Sequence, residues 1–317
     1  MLDLQLEKLL QHARAAGMPD LCDVPLPAAR GLYRQLMSAI SQPEAPVHQR
    51  DVQLPGVAEG SSLGARVYAP PDAHRLPVVL WFHGGGYVLG DLDAYDGLCR
   101  QLSLDAQAVV VSIDYRLAPE HPFPAAFDDA RASLSWLLSA AGTAALGEAA
   151  DLTRLAVAGD SAGAVLAASV ALHGRDAGLP PLRCMALAYP PAAGSQPGVF
   201  PSRARHASGP TLTAATVAFF DKAFFGEAAC APDWRAAPLS APSLAGLPPT
   251  LIQLAAWDLL RDEGEALAAR MLAAGTPVTL VEFHGLAHGY LGQGAAVAAA
   301  HSALRQMGQY LHDGLRV

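Results

Sequence analysis

Six short apolar runs, VVLWF (78–82), AVVVSIDY (108–115), LAVAGD (155–160), MALAYP (185–190), LIQLAA (251–256) and VTLVEF (278–283), recur along the chain with helix-like segments between them. A run without polar alternation has no face to offer water, so it must be covered on both sides. Short runs of this kind, spaced by helices, are what a parallel sheet between two helical layers requires. The expected fold class is therefore α/β, with a mostly parallel sheet. Upstream, VHQRDVQLP and SLGARVYAP read as two strands joined by the turn-rich GVAEGS. Earlier still, Leu2, Leu4, Leu6, Leu9 and Leu10, then Leu32, Leu36 and Ile40, mark two helices that stop where Pro43 and Pro46 interrupt the pattern.

From Ala192 to Trp234 the rhythm breaks: GSQPG and PSRARHASG precede an aromatic helix, TLTAATVAFFDKAFFG. An insertion that long between core strands usually serves as a lid or cap. The expected organisation is N-terminal helices over 1–45 and an α/β domain over 46–317 that carries a cap insertion at about 192–234. Within the insertion, Arg203, Arg205 and His206 read as a solvated loop rather than a phosphate site. Phe219, Phe220, Phe224 and Phe225 suit either an acyl channel or plain packing, because adjacent helical residues point to different sides.

Composition excludes several function classes. With 52% hydrophobic and 16% charged residues, the 317-residue chain has apolar surface enough for a large core and is not of disordered composition. A formal net charge of −8 argues against nucleic acid, whose binding rests on Lys and Arg neutralising phosphates. Asp3, Glu7 and Lys8 interrupt the N-terminal leucines, which suits an amphipathic helix better than an export signal, and no run of roughly 18 apolar residues suggests a membrane span. Cys22, Cys99, Cys184 and Cys230 form no CxxC pair, so the expectation is free buried thiols in a cytoplasmic protein, with neither metal nor disulfide framework. A homodimer through a surface strand or helix near the C-terminus is compatible with the sequence, although nothing in it argues for one.

The stretch LAVAGDSAGAV, Leu155 to Val165, reads as strand, tight turn and helix, with Ser161 at the turn. Gly159 and Gly163 complete a Gly-x-Ser-x-Gly pattern, which in this context is a nucleophile elbow: side chains at the glycines would collide with the sharply turned backbone. A serine hydroxyl is a poor nucleophile at neutral pH and needs a base, and the base needs a third group to fix its tautomer. Asp258 ends the strand LIQLAAWD and His288 follows VTLVEF, so both fall at the C-terminal edge where such sheets build their sites. Asp262 is the fallback acid. His284 and His288, four apart, suggest a metal pair only on a helix, and Gly285 and Gly289 disfavour a helix there.

An acyl-transfer intermediate also needs backbone donors for its oxyanion. Gly84, Gly85 and Gly86 follow VVLWF and His83, and Ala162 follows the serine, so all four are candidate donors, with His83 bracing the loop and Asp160 supporting the elbow. No Gly-x-Gly-x-x-Gly forms here because Leu89 holds the last position, so no nucleotide site is expected. No cofactor is called for.

Taken with DYRLAPEHPFPAA (114–126), GDSAG (159–163) and WDLLRDEG running on to FHGLAHGY (283–290), the HGGG block resembles the hormone-sensitive lipase family of α/β-hydrolases in its GDSAG subgroup. The resemblance covers about residue 60 onward. It implies a helical cap, made of the N-terminal cap helices (1–45) and the insertion at about 192–234, over a catalytic domain (46–317). It also implies a carboxylesterase for short to medium acyl esters, with Ser161 the nucleophile, His288 the base and Asp258 its orienter. An amidase or deacetylase on the same machinery is the alternative, and a receptor-like binding module that has lost catalysis is a more distant one. Departures from the family pattern are Leu259, where a proline is usual after the acid, and Ala164 and Val165, where Gly-Asn commonly follows GDSAG. Asp114 and Glu120 match the family and are expected to be structural.

Overall fold

The computed structural model describes residues 1–41, 45–194, 200–226 and 233–316. Pro43, Cys230 and the part of GSQPG after Gly194 lie outside the described residues. Helices α1 (Leu4–Ala15) and α2 (Leu26–Ile40) come first, followed by β1 (His48–Pro55), β2 (Ser62–Ala69) and β3 (Leu76–Phe82). Strands and helices then alternate through α3 (Asp96–Ala106), β4 (Val109–Asp114), α4 (Ala125–Leu137), α5 (Ala140–Leu146), β5 (Ala150–Asp160), α6 (Ala162–Asp176) and β6 (Met185–Ala188). Helices α7 (Pro201–Arg205) and α8 (Ala214–Phe225) precede β7 (Thr250–Trp257), α9 (Arg261–Ala273), β8 (Val278–Ala287) and α10 (Ala298–Arg316).

All six apolar runs lie in one eight-stranded sheet ordered β1-β2-β4-β3-β5-β6-β7-β8. Only β2 runs against its neighbours, antiparallel to both β1 and β4; the remaining pairs are parallel, as expected. Alternation along each strand splits the core into two layers. Val78, Leu80 and Phe82 of β3 share one core layer with Leu134 of α4, Leu166 of α6 and Leu267 of α9, whereas Val79 and Trp81 lie in the other, with Leu98 of α3 and Leu304 of α10. Toward α10 the strands β5 and β6 present Ala156, Ala158, Ala186 and Ala188, small side chains over which a helix can lie close.

Three differences from the sequence expectation have clear physical reasons. Strand β8 continues past VTLVEF to Ala287, because its pairing with β7 resumes after a register shift and ends at Trp257 and Ala287. The leucine stripes of α1 and α2 are only partly core: Leu6 is buried but Leu4 is 67% exposed, and in α2 the buried residues are Ala29 and Met37. Both helices lie on the outside of the α/β layers, where α1 is held by Asp3 N–H donating to Gly285 O at 2.9 Å and by Ala298 N–H donating to Gln5 Oε1 at 2.9 Å. Arg203 is not in a solvated loop; it lies on α7 and pairs at 2.6 Å with the buried Glu263.

Cys22, Cys99 and Cys184 are free thiols. Cys99 and Cys184 are buried as expected and Cys22 is half-buried; burial pushes the Cys184 thiol up to about 12, which keeps it protonated and inert. Among the described residues no helix is long and apolar enough to cross a membrane. The layer under α10 gives a direct test of this packing. Leu311→Ala, at a fully buried position, is expected to lower stability by about 2–5 kcal/mol, seen as a lower urea midpoint with an unchanged slope.

Candidate active site

Strand β5 runs into α6 through Ser161, whose backbone sits at φ 51° and ψ −121°. Such a conformation costs of order 1–3 kcal/mol for a residue with a side chain and persists only where its surroundings impose it. The surroundings here are bare backbone. A Cβ on Gly163 would strike the carbonyl oxygens of Phe82 and His83, and one on Gly159 would strike those of Gly163 and Phe82. Ser161 N–H donates to Ala188 O at the end of β6 at 2.9 Å, and Ala164 N–H donates to Ser161 O at 3.0 Å.

Ser161 occupies the N-cap position of α6, yet its hydroxyl makes no capping bond. The Oγ lies instead 2.8 Å from His288 Nε2, and His288 Nδ1 lies 2.7 Å from Asp258 Oδ2. The second oxygen of Asp258 accepts Leu260 N–H at 2.8 Å, so both carboxylate oxygens are engaged although Asp258 is only 1% exposed. A buried carboxylate on Nδ1 keeps that nitrogen protonated and leaves Nε2 as an acceptor for the serine proton. The His288 carbonyl accepts the Thr211 hydroxyl at 2.8 Å, and the Tyr189 ring lies 4.7 Å from the imidazole.

The alternatives are engaged elsewhere. Asp262 accepts Ser202 N–H at 2.8 Å and pairs with Arg261, while the His284 side chain is 88% exposed with Glu282 at 3.3 Å. Residues 284 to 287 are strand, so the two histidines share no helix face.

After β3 the chain enters His83–Gly86. Gly84 N–H donates to Asp160 Oδ1 at 2.8 Å and to the Tyr95 hydroxyl oxygen at 3.1 Å. This corrects the expectation for Gly84, because a donor already held by a buried carboxylate is not free for a substrate oxygen. Gly85 and Gly86 take φ of 109° and 63°, and among the described residues no acceptor takes their N–H groups. Ala162 opens α6, where the first N–H groups have no partner within the helix.

His83 braces this loop: its Nδ1 lies 2.7 Å from Gly84 O, and its ring stacks on Tyr115 at 4.2 Å. Burial drives His83 down to about 4, so it is neutral at pH 7 and Nδ1 carries the proton that the carbonyl accepts. Asp160 is buried as well. Burial pushes its carboxyl up to about 6, against the Gly84 N–H and the Tyr95 and Tyr189 hydroxyls, which stand 3.2 and 3.3 Å from Oδ2 and favour the charged form.

The walls are apolar. The Phe220 ring packs against Gly86, and Phe220 and Val217 join Leu212, Leu259 and Leu260 in one cluster. Leu259 thus fills the departure from the family's proline with packing, and its carbonyl accepts the Ser202 hydroxyl at 2.9 Å. Ala164 and Val165 are buried in the main core. Phe224 stacks on Tyr87 at 4.1 Å and pins α8 to the core, so the phenylalanines divide between wall and packing. Tyr95 and Tyr189 were not foreseen from sequence, since a tyrosine's hydroxyl partner is a tertiary fact.

Comparison with known proteins agrees with this geometry. Residues 79–292 match a family model described as alpha/beta hydrolase fold. Esterase LipI of Mycobacterium tuberculosis is 44% identical over 267 residues, 82% of each chain. Ethyl acetate hydrolase of Pseudomonas putida is 35% identical over 263 residues, 81% of this chain and 80% of the relative. Among solved structures, a thermostable esterase from Pseudomonas putida ECU1011 has a TM-score of 0.92 at 32% identity, covering 100% of this chain and 98% of that one.

The elbow itself can be tested without a substrate. Gly163→Ala forces β3 and α6 apart, and a loss of about 1–3 kcal/mol or more is expected from such overpacking. Thermal melting followed by circular dichroism measures it; an unchanged midpoint would mean that the elbow has room for a methyl group.

Proposed function

We propose, from the premise that the chain belongs to the hormone-sensitive lipase branch of the α/β-hydrolase family and is a carboxylic ester hydrolase, that Ser161, His288 and Asp258 are its catalytic triad. The unbroken chain of hydrogen bonds from Ser161 Oγ through the imidazole to the buried Asp258 carries this reading. Ser161 Oγ attacks the ester carbonyl carbon while its proton passes to His288 Nε2. Asp258 holds the imidazolium that forms. The carbonyl oxygen becomes an oxyanion that accepts hydrogen bonds from the N–H groups of Gly85, Gly86 and Ala162, each donor of this type being worth roughly 3–4 kcal/mol in the barrier. Collapse breaks the ester C–O bond, and the departing alkoxide takes the proton from His288. Water then attacks the acyl group on Ser161, gives a proton to His288, and the acid leaves as Ser161 recovers that proton. Nucleophile, base and oxyanion donors all come from the chain, so the chemistry calls for no cofactor.

The substrates proposed are esters of short to medium acyl chains, supported by the apolar wall of Phe220, Leu212, Leu259 and Leu260 and by the name ethyl acetate hydrolase borne by a relative. Residues 1–45 and about 192–234 serve as the cap. Supporting this, Thr211 bonds the His288 carbonyl and Phe220 lies on Gly86, so the insertion touches both the base and the oxyanion loop. Residues 42–44, 195–199 and 227–232 of that cap lie outside the described residues. The free thiols favour a cytoplasmic setting, and β8, an edge strand with Leu280 42% exposed, is the surface on which a homodimer would form.

Hydrolysis of a p-nitrophenyl ester series tests the triad. Ser161→Ala is expected to lower kcat by on the order of 10⁴-fold or more, and Asp258→Asn by about 10⁴-fold through loss of the tautomer. Wild-type rates from Ser161→Ala would refute the assignment. Rates across the series are expected to fall beyond medium chains, and activity toward a matching amide equal to that toward the ester would favour the amidase alternative.

A further inference from the structure

Helix α2 is tied to the oxyanion loop by hydrogen bonds that no step above uses. Arg30, Tyr33, Arg34 and Met37 follow one another at helical spacing on one face of α2. Arg30 donates from Nε to Val88 O at 2.9 Å and from Nη2 to Ala118 O at 2.9 Å, and it grips Glu120 with two bonds of 2.8 and 2.7 Å. Arg34 donates to Asp91 Oδ2 at 2.6 Å. Between these two arginines, the Tyr33 hydroxyl lies 2.9 Å from that of Tyr95. Val88, Asp91 and Tyr95 all belong to the segment that begins with His83 and the three glycines.

The hydrogens of this network can be assigned. Tyr95 O–H donates to Asp160 Oδ2, and its oxygen accepts Gly84 N–H. With the Tyr95 proton committed, the bond between the two tyrosines must be donated by Tyr33. A directed chain results, from Tyr33 O–H to Tyr95 O–H to the Asp160 carboxylate. Gly84 N–H is gripped by its last two members. Gly84 O is fixed separately by His83 Nδ1. The Gly84 N–H lies in the peptide that joins it to His83, whereas the Gly84 C=O and the Gly85 N–H share the next peptide plane. Holding both peptides leaves Gly84 little freedom to turn and sets the direction of the Gly85 N–H.

We propose that Tyr33 is a positioning residue for ester hydrolysis: its hydroxyl, donated to Tyr95, holds with Asp160 the Gly84 N–H, and so fixes one side of the glycine whose other side, braced at its C=O by His83, presents Gly85 N–H to the oxyanion. This rests on the reading of Gly85 as an oxyanion donor. Docking of α2 is then a condition of transition-state stabilisation as well as of covering the site. Ground-state binding of the ester does not depend on this donor to the same degree, so the effect falls on kcat.

The experiment compares wild type, Tyr33→Phe, Tyr95→Phe, the double variant and Ser161→Ala with p-nitrophenyl butyrate, and measures inhibition by a trifluoromethyl ketone, whose hemiketal oxyanion uses the same donors. Tyr33→Phe is expected to lower kcat by up to about tenfold, the scale of one lost hydrogen bond in a network, with KM within about twofold and the melting temperature nearly unchanged. Ketone affinity should weaken by the same factor as kcat/KM. Adding Tyr33→Phe to Tyr95→Phe should produce less than the product of the two single losses, because the chain is already cut. An unchanged kcat in Tyr33→Phe, or a loss confined to KM, overturns the proposal while leaving the triad standing if Ser161→Ala is inactive. Full activity in Ser161→Ala overturns the underlying reading and the proposal with it.

Discussion

The contact between the backbones of β3, β5 and α6 at Gly159 and Gly163 is the constraint on which the rest of the site depends. With no side chain at either glycine, the carbonyls of Phe82 and His83 lie directly against the elbow. This proximity holds Ser161 at a positive φ and turns its hydroxyl away from the helix it would otherwise cap. It also brings the loop after β3 beside the serine, so that nucleophile and glycine loop are placed by one packing event. Hydrogen bonds add the finer adjustments: Ala188 O anchors Ser161 N–H, and Asp160 reaches across to Gly84.

Much of this is legible in the sequence because it follows from excluded alternatives. Strands apolar on both faces can only lie inside a covered sheet, and a serine between glycines after such a strand leaves few other uses for those residues. Asp258 and His288 could be chosen because strand ends in parallel sheets share one edge. The division of labour among Gly84, Gly85 and Gly86 was not legible, since identical residues differ only in where their N–H groups point. Nor were the tyrosines: Tyr33 sits on a helix of ordinary amphipathic pattern, 62 residues from Tyr95, and nothing local indicates that their hydroxyls meet.

Electrostatics at the site are governed by burial more than by ion pairing. Among the described residues Asp160 makes no ion pair and is held by one N–H and two hydroxyls, while His83 is kept neutral so that it can donate to a carbonyl. Dipoles of fixed direction surround the serine, and the nearby carboxylates of Asp258 and Asp160 are each held by hydrogen bonds. Leu259 fits the same pattern, since the loop beside Asp258 is steadied by packing and by the Leu260 N–H bond instead of a rigid ring.

The separation along the chain between groups that meet at the site has a consequence for biosynthesis. Ser161 and His288 are 127 residues apart, and Arg30 and Glu120 are 90 apart. As the chain is made from its N-terminus, the elbow and glycine loop are complete long before β8 emerges. With the triad proposed above, Ser161 has no base until then, and the nascent chain is chemically silent toward the esters around it. On that proposal hydrolysis begins only when β8 pairs with β7 and brings in His288, the residue after its last, which makes the docking of that edge strand the event that switches the enzyme on.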